Sequence, residues 1–287
     1  MTAIMSPAGH PSSADSQAPD PEPHSSGLVL PYGGHANALH DVSGYQPVTW
    51  ETSQWVELQM LEASRSRSIT LVTGFPGVGK SFMTARAAEA CASDPAAPAA
   101  VVWVEFSHAA RGRALLLDLY SQITGTDPPP GATLTTLRDD LRCALVSPHR
   151  LLVLDEAQHV GNEAMRVLRW LMDRPDTDAG LAIVGLPGIT RSLAPEMLSR
   201  AISLYTIEPI ADGEAAGLLS SYHPLFAGGD PSLLATYNKT WARGRFRWWA
   251  NFLARAVRYA DSMDKTCIDD ELARAVTLHM PRAGETR

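Results

Sequence analysis

The stretch LVTGFPGVGKSFMTARAA, residues 71–88, holds Gly74, Gly79, Lys80 and Ser81 at the spacing G-x-x-x-x-G-K-[ST]. An apolar run precedes it and a helix-like run follows, the context in which such a bend cradles phosphate. Glycines let backbone N–H groups turn inward around an anion, and a helix start adds further N–H groups at the positive end of its dipole. Gly74, Pro76, Gly77, Val78, Gly79, Lys80, Ser81 and Phe82 are therefore the candidate nucleotide-binding set. Lys80 suits the β- and γ-phosphates as a mobile point charge. Ser81 offers a hydroxyl to Mg²⁺, a hard cation that prefers oxygen.

A second chemical group lies downstream in LLVLDEAQH, residues 151–159. Four apolar residues, Leu151 to Leu154, predict a buried strand, and Asp155 and Glu156 emerge at its C-terminal end, where open α/β sheets bind ligands. Asp155 is the expected second Mg²⁺ ligand, and Glu156 the group that orients and polarises an attacking water. A bare phosphoryl transfer between small molecules needs no such glutamate. Hydrolysis does, because in-line attack by water requires positioning. The residues thus predict an ATPase with ATP and Mg²⁺ as its ligands.

Strands and helices alternate around these groups. SITLVTG, AAVVWVEFS (99–107), RLLVLDEAQHV (150–160), GLAIVGLPG (180–188) and AISLYTIEPI (201–210) read as five strands. Between them lie helix patterns in KSFMTARAAEACAS, RALLLDLYSQITG, LTTLRDDLRCALVS and NEAMRVLRWLMDR, the last with Asn162 as its expected cap. An earlier helix in VTWETSQWVELQMLEASRSRS has Thr49 or Thr52 near its cap. Strands apolar on both faces, separated by helices, predict a parallel sheet covered on both sides. After residue 211 the strand signal stops and helical patterns continue. The expected organisation is an arm over 1–45 rich in Pro, Ser, Gly and His, an α/β domain over 46–210, a small all-helical domain over 211–280, and a tail over 281–287.

Composition bounds the rest. The 287 residues carry 45% apolar and 19% charged side chains, enough for a core, and a formal charge of −7. No global basic field draws the chain to nucleic acid, so any DNA contact must be local. Cys91, Cys143 and Cys267 are far apart, without metal-ligand spacing, and read as small buried residues in a reducing compartment. No apolar run is long enough to span a membrane, and the start has no secretory pattern, so a cytoplasmic protein with no membrane partner is expected.

The loop, the Asp-Glu pair, five strands and a helical C-terminal domain resemble an AAA+ ATPase. DEAQH, followed by VLRWLMD and AIVGLPGI, resembles the DNA-transposition ATPases of the TniB/TnsC/MuB group, with ExeA-type ATPases as cousins. The resemblance covers about residues 46–280. It implies a P-loop NTPase fold with a five-stranded parallel sheet and a helical lid. It also implies a homo-oligomer, ring or filament, that ATP assembles on duplex DNA to recruit or activate a transposase, and that hydrolysis dismantles.

The roles of Arg200, Arg247, Gln158, Arg111 and Arg113 follow from the resemblance alone. Arg200 stands at the usual place of an arginine finger, reaching a neighbouring subunit's γ-phosphate. Arg247, in a Gly-x-x-Arg context, stands for the second sensor arginine. Gln158 would couple nucleotide to DNA. Arg111 and Arg113, after the second strand, would face DNA in the oligomer's channel. Trp241, Trp248 and Trp249, at helical spacing, read as core and not as base-stacking platforms. One departure stands out: Leu186 occupies the position of a polar first sensor, which implies slow hydrolysis. The alternatives are a signalling or defence switch that binds a protein partner, an ExeA-like ATPase and a replication loader.

Overall fold

A computed structural model describes residues 42, 44, 46, 48, 50–106, 112–191, 193 and 195–282. The expected arm over 1–45 apart from residues 42 and 44, residues 283–287 of the expected tail, and Arg111 lie outside these residues. Five strands form one sheet: β1 (Ile69–Gly74), β2 (Ala100–Glu105), β3 (Arg150–Asp155), β4 (Ala179–Gly185) and β5 (Ala201–Ile207). All pair in parallel, in the order β2-β3-β4-β1-β5. Every residue of β1, β3 and β4 is buried, as a strand covered on both faces requires. The expectation of two apolar, covered faces holds only for this centre. The edge strands are partly open, with Ile202 and Leu204 of β5 45% and 55% exposed, because an edge has neighbours on one side only.

Side-chain alternation along β3 divides the core. Leu151 and Val153 point to one face, where Val56 and Met60 of α1 (Glu51–Arg65) and Met83 and Ala88 of α2 (Lys80–Ala92) cover them. Leu152 and Leu154 point to the other, against Leu115 and Leu119 of α3 (Gly112–Thr124), Leu141 of α4 (Leu134–Ala144) and Leu168 of α5 (Asn162–Met172). Gly180 lets α1 lie close to the sheet, since a Cβ there would come within 2.7 Å of the Ala63 carbonyl oxygen. The start of α1 is held by Ser53, whose Oγ accepts from the Trp50 N–H at 3.0 Å, and not by Thr52. In α5 the cap position is Gly161; Asn162 is the first helical residue.

After the short α6 (Pro195–Leu198) and β5, the chain is helical: α7 (Asp212–Tyr222), α8 (Pro224–Ala227), α9 (Pro231–Tyr237), a π-turn over Asn238–Ala242, α10 (Phe246–Ser262) and α11 (Asp270–Thr277). These helices enclose a core of their own, with Leu219, Phe226, Trp241, Trp249, Phe252 and Leu272 inside. Trp241 and Trp249 are buried and Trp248 packs at the margin, so they serve the core as expected, although Trp241 lies in the π-turn and the other two in α10, with no single helical spacing joining them. The lead-in to α1 also belongs here: Val48 sits in this helical core, and Trp50 stacks on Phe246 at 4.8 Å between ring centres. Of the three free cysteines only Cys91 is fully buried, its thiol pushed up to about 12 by burial. Cys143 is exposed, against expectation, because it lies on the outer side of the amphipathic α4.

One buried amide ties the helices to the strand exit. Asn238 donates to the Ile210 carbonyl at 2.9 Å and to Asp212 Oδ1 at 3.0 Å, and accepts from the Trp249 indole N–H at 3.0 Å. Asn238→Leu should leave the Trp249 N–H and the Ile210 carbonyl unpaired, at a cost of about 1–3 kcal/mol for each group. A lowered urea midpoint in equilibrium unfolding checks this.

Candidate nucleotide site

β1 delivers the chain to the phosphate loop. A Cβ at Gly74 would come within 2.9 Å of both the Ile207 carbonyl oxygen and Val78 Cγ2, so the strand end admits only glycine without rearrangement. Gly77 and Gly79 lie at φ +83° and +102°, the left-handed region that glycine enters without penalty. Val78 is buried under the bend, Pro76 is exposed on it and Phe82 is half-buried behind it. Gly79 occupies the cap position of α2 and contributes no side chain. The N–H groups of the first turn of α2 are thus left for an anion.

Lys80 is 6% exposed, and its Nζ donates to the Phe75 carbonyl at 3.3 Å. Burial lowers its pKa; the carboxylates of Glu156 and Asp155 oppose that shift, and the nearby Arg247 adds to it. Asp155, 3% exposed at the end of β3, is shifted upward, first by burial. A hydrogen bond from Ser81 and the Glu156 N–H at 2.8 Å counter this shift. Ser81 and Asp155, the two expected Mg²⁺ ligands, therefore meet. Among the described residues no group of three or more His, Cys, Asp or Glu forms a cage for a metal. Two oxygen donors beside a phosphate cradle fit Mg²⁺, which is held by few protein ligands together with phosphates and water. Glu156 follows with φ +52°, an unusual backbone for a non-glycine, and its carbonyl accepts from the His159 N–H at 3.0 Å.

The helical unit closes the site. The Arg247 N–H donates to the Gly77 carbonyl at 3.0 Å, and a Cβ on Gly77 would lie 3.2 Å from that of Arg247. Gly244, at φ +69°, sets this approach: its carbonyl accepts from the Ile210 N–H, and a Cβ there would sit 2.6 Å from Pro209 Cβ. Sequence reasoning missed Glu105, which pairs in register with Asp155 at the end of β2. Burial, then Asp155 and Glu156, raise its pKa. A lone acid ending the apolar run VVWVE was the available signal.

Other expected residues lie elsewhere. Arg200 forms an ion pair with Asp173 at 2.6 Å, beside Arg169, with half its side chain exposed. Arg113 is exposed and donates to the Ala132 carbonyl at 3.0 Å. Leu186 follows β4, and its backbone N–H, not its side chain, is the polar group at that strand end.

The buried acid has a measurable signature. Because the folded Asp155 pKa is raised, the native state binds the more protons between the ordinary value of 3.8 and the raised value. Its contribution to stability is therefore lost as pH rises through that window. Asp155→Asn should remove this slope and leave the nucleotide-free protein at least as stable as wild type at neutral pH, in thermal melts across the acid range.

An AAA domain model matches residues 63–193. No curated protein matches the chain. Solved structures do: the ORC2 protein of Aeropyrum pernix in ADPNP–ADP complexes is 17% identical, with a TM-score of 0.64 over 85% of this chain and 71% of that one. The ORC1 protein of the same organism in complex with DNA is 18% identical, with a TM-score of 0.63 over 86% and 69%. The Holliday junction branch migration motor RuvB of Thermotoga maritima is 15% identical, with a TM-score of 0.53 over 80% and 69%. Residues 63–193, with the glycine-rich loop at one strand end and the acidic pair at another, are thus similar to an AAA domain, and the chain has the α/β P-loop NTPase fold that ORC proteins and RuvB share.

Proposed function

We propose that the protein binds ATP with Mg²⁺ in this pocket, hydrolyses it, and uses the nucleotide to control assembly on duplex DNA as a regulator of DNA transposition. The observation that carries the reading is the convergence of Lys80 and Ser81 with Asp155, and of Arg247 with Gly77, at one end of the sheet. Loop N–H groups and Lys80 hold the phosphates, and Ser81 and Asp155 hold the metal. Mg²⁺ held there would supply charge neutralisation to the phosphates. Glu156 orients the attacking water, and Arg247 senses the nucleotide through the lid.

Arg200, outside its own chain's pocket, acts from a neighbouring subunit, exchanging Asp173 for a γ-phosphate. ATP then joins subunits into a ring or filament on DNA, the assembly recruits or activates a transposase, and hydrolysis dismantles it. Turnover is slow, as suits a switch, and the protein works in the cytoplasm; no helix among the described residues is long and apolar enough to cross a membrane. DNA contacts fall on Arg111 and Arg113, are insensitive to sequence and weaken steeply with salt. The TniB/TnsC-like motifs DEAQH and LRWLMD support the transposition role. The likeness in fold to ORC proteins supports a second reading, a replication loader.

Gel shifts with duplex DNA test the proposal: binding should need ATP or a non-hydrolysable analogue and tolerate any sequence. Adding a cognate transposase or a replicative helicase separates the two readings. Lys80→Ala should abolish nucleotide binding in calorimetry. Glu156→Gln should bind ATP normally yet lose turnover by about 10²-fold or more, freezing the assembly. Arg200→Ala should bind nucleotide as a monomer but lose about 10³-fold in assembly-stimulated hydrolysis.

A further inference from the structure

Gln158 has no part in the nucleotide contacts above, yet it touches the residue assigned to the water. It lies in the 3₁₀ turn Ala157–His159 that follows β3. Its Nε2 donates to Glu156 Oε2, and its Oε1 accepts from the Leu186 N–H at 3.2 Å. These partners fix the amide's orientation, because a backbone N–H can only donate and a carboxylate can only accept. Gln158 therefore spans from the end of β3 to the end of β4, two adjacent strands. Gly185 leaves room for this bridge: a Cβ there would lie 3.0 Å from Gln158 Oε1.

We propose that Gln158 is a positioning residue for the Glu156 carboxylate, anchoring it to the backbone just past β4 where the apolar Leu186 side chain cannot. Two restraints then fix the carboxylate. The left-handed backbone at Glu156 sets where its side chain starts, and the Gln158 amide holds one oxygen at the far end. The second oxygen is left to accept a hydrogen bond from water. The β4 tip keeps its link to the hydrolytic centre through its main chain and needs no polar side chain at position 186. This inference rests on Glu156 being the water-orienting residue.

The test uses the full chain and Gln158→Met, which keeps side-chain length and removes both hydrogen bonds, with Gln158→Ala as a second variant in case Met crowds the turn. We expect kcat to fall about 10- to 100-fold, the scale of a misplaced catalytic group. KM and the affinity for a fluorescent ATP analogue should stay within about twofold. Exchange of the Leu186 amide hydrogen should quicken, a readout independent of turnover. Unchanged kcat in both variants, unchanged Leu186 exchange, or kcat and affinity falling together with thermal stability would each overturn the proposal. Wild-type protein that binds ATP without hydrolysing it would instead remove the ATPase reading, and this role with it.

Discussion

Two ionisable groups withdrawn from water at one end of the sheet constrain everything around them. Lys80 and Asp155 are both nearly inaccessible, and burial moves the pKa of each toward its uncharged form. A fold that buries an ammonium and a carboxylate in this way must compensate them, and each partly compensates the other. Ser81 and the Glu156 N–H also counter the shift at Asp155, and the Glu156 carboxylate counters that at Lys80. An anion beside the lysine and a cation beside the aspartate would each favour the charged form of its neighbour.

Parallel pairing is what brings these groups together. Strands that all run the same way present their C-terminal ends on one edge, so the loop after β1 and the acids after β3 share it although some 75 residues of sequence separate them. β4 lies between the two in the sheet, and its tip, Gly185 and Leu186, forms the floor from which Gln158 reaches Glu156. A side chain at Gly185 would crowd this bridge, just as one at Gly74 would strike the β5 end. Such close backbone approaches show how tightly this edge is packed compared with the open outer face of β5.

The helical unit is bound to this edge by backbone as much as by side chains. Asn238 fixes it to the segment leaving β5, Gly244 permits the close turn against Pro209, and the Arg247 N–H reaches the Gly77 carbonyl. The loop after β1 is therefore hydrogen-bonded to the first turn of α10, a 17-residue helix running through the helical core. The lead-in at Val48 and Trp50 packs on the same core, so the chain enters the α/β part by way of the helices it will later form.

Much of this was legible in the residues alone, because its causes are local. The glycine-lysine-serine spacing, the acids ending an apolar run and the alternation of strand and helix patterns depend on side-chain type and period, and they gave the loop, the Asp-Glu pair and the five parallel strands. Features that depend on a distant partner were not legible. Whether Ser53 or a threonine holds α1, whether a strand is central or at an edge, and whether Cys143 is covered are decided by what packs nearby. The same holds for Glu105 beside Asp155 and for Gln158 beneath Leu186. The sequence by itself determined which groups could grip phosphate and metal, since that chemistry belongs to residue type and short spacing. Only the tertiary structure decided which of them meet and how their charges are tuned, since burial and hydrogen bonding arise between segments far apart in the chain.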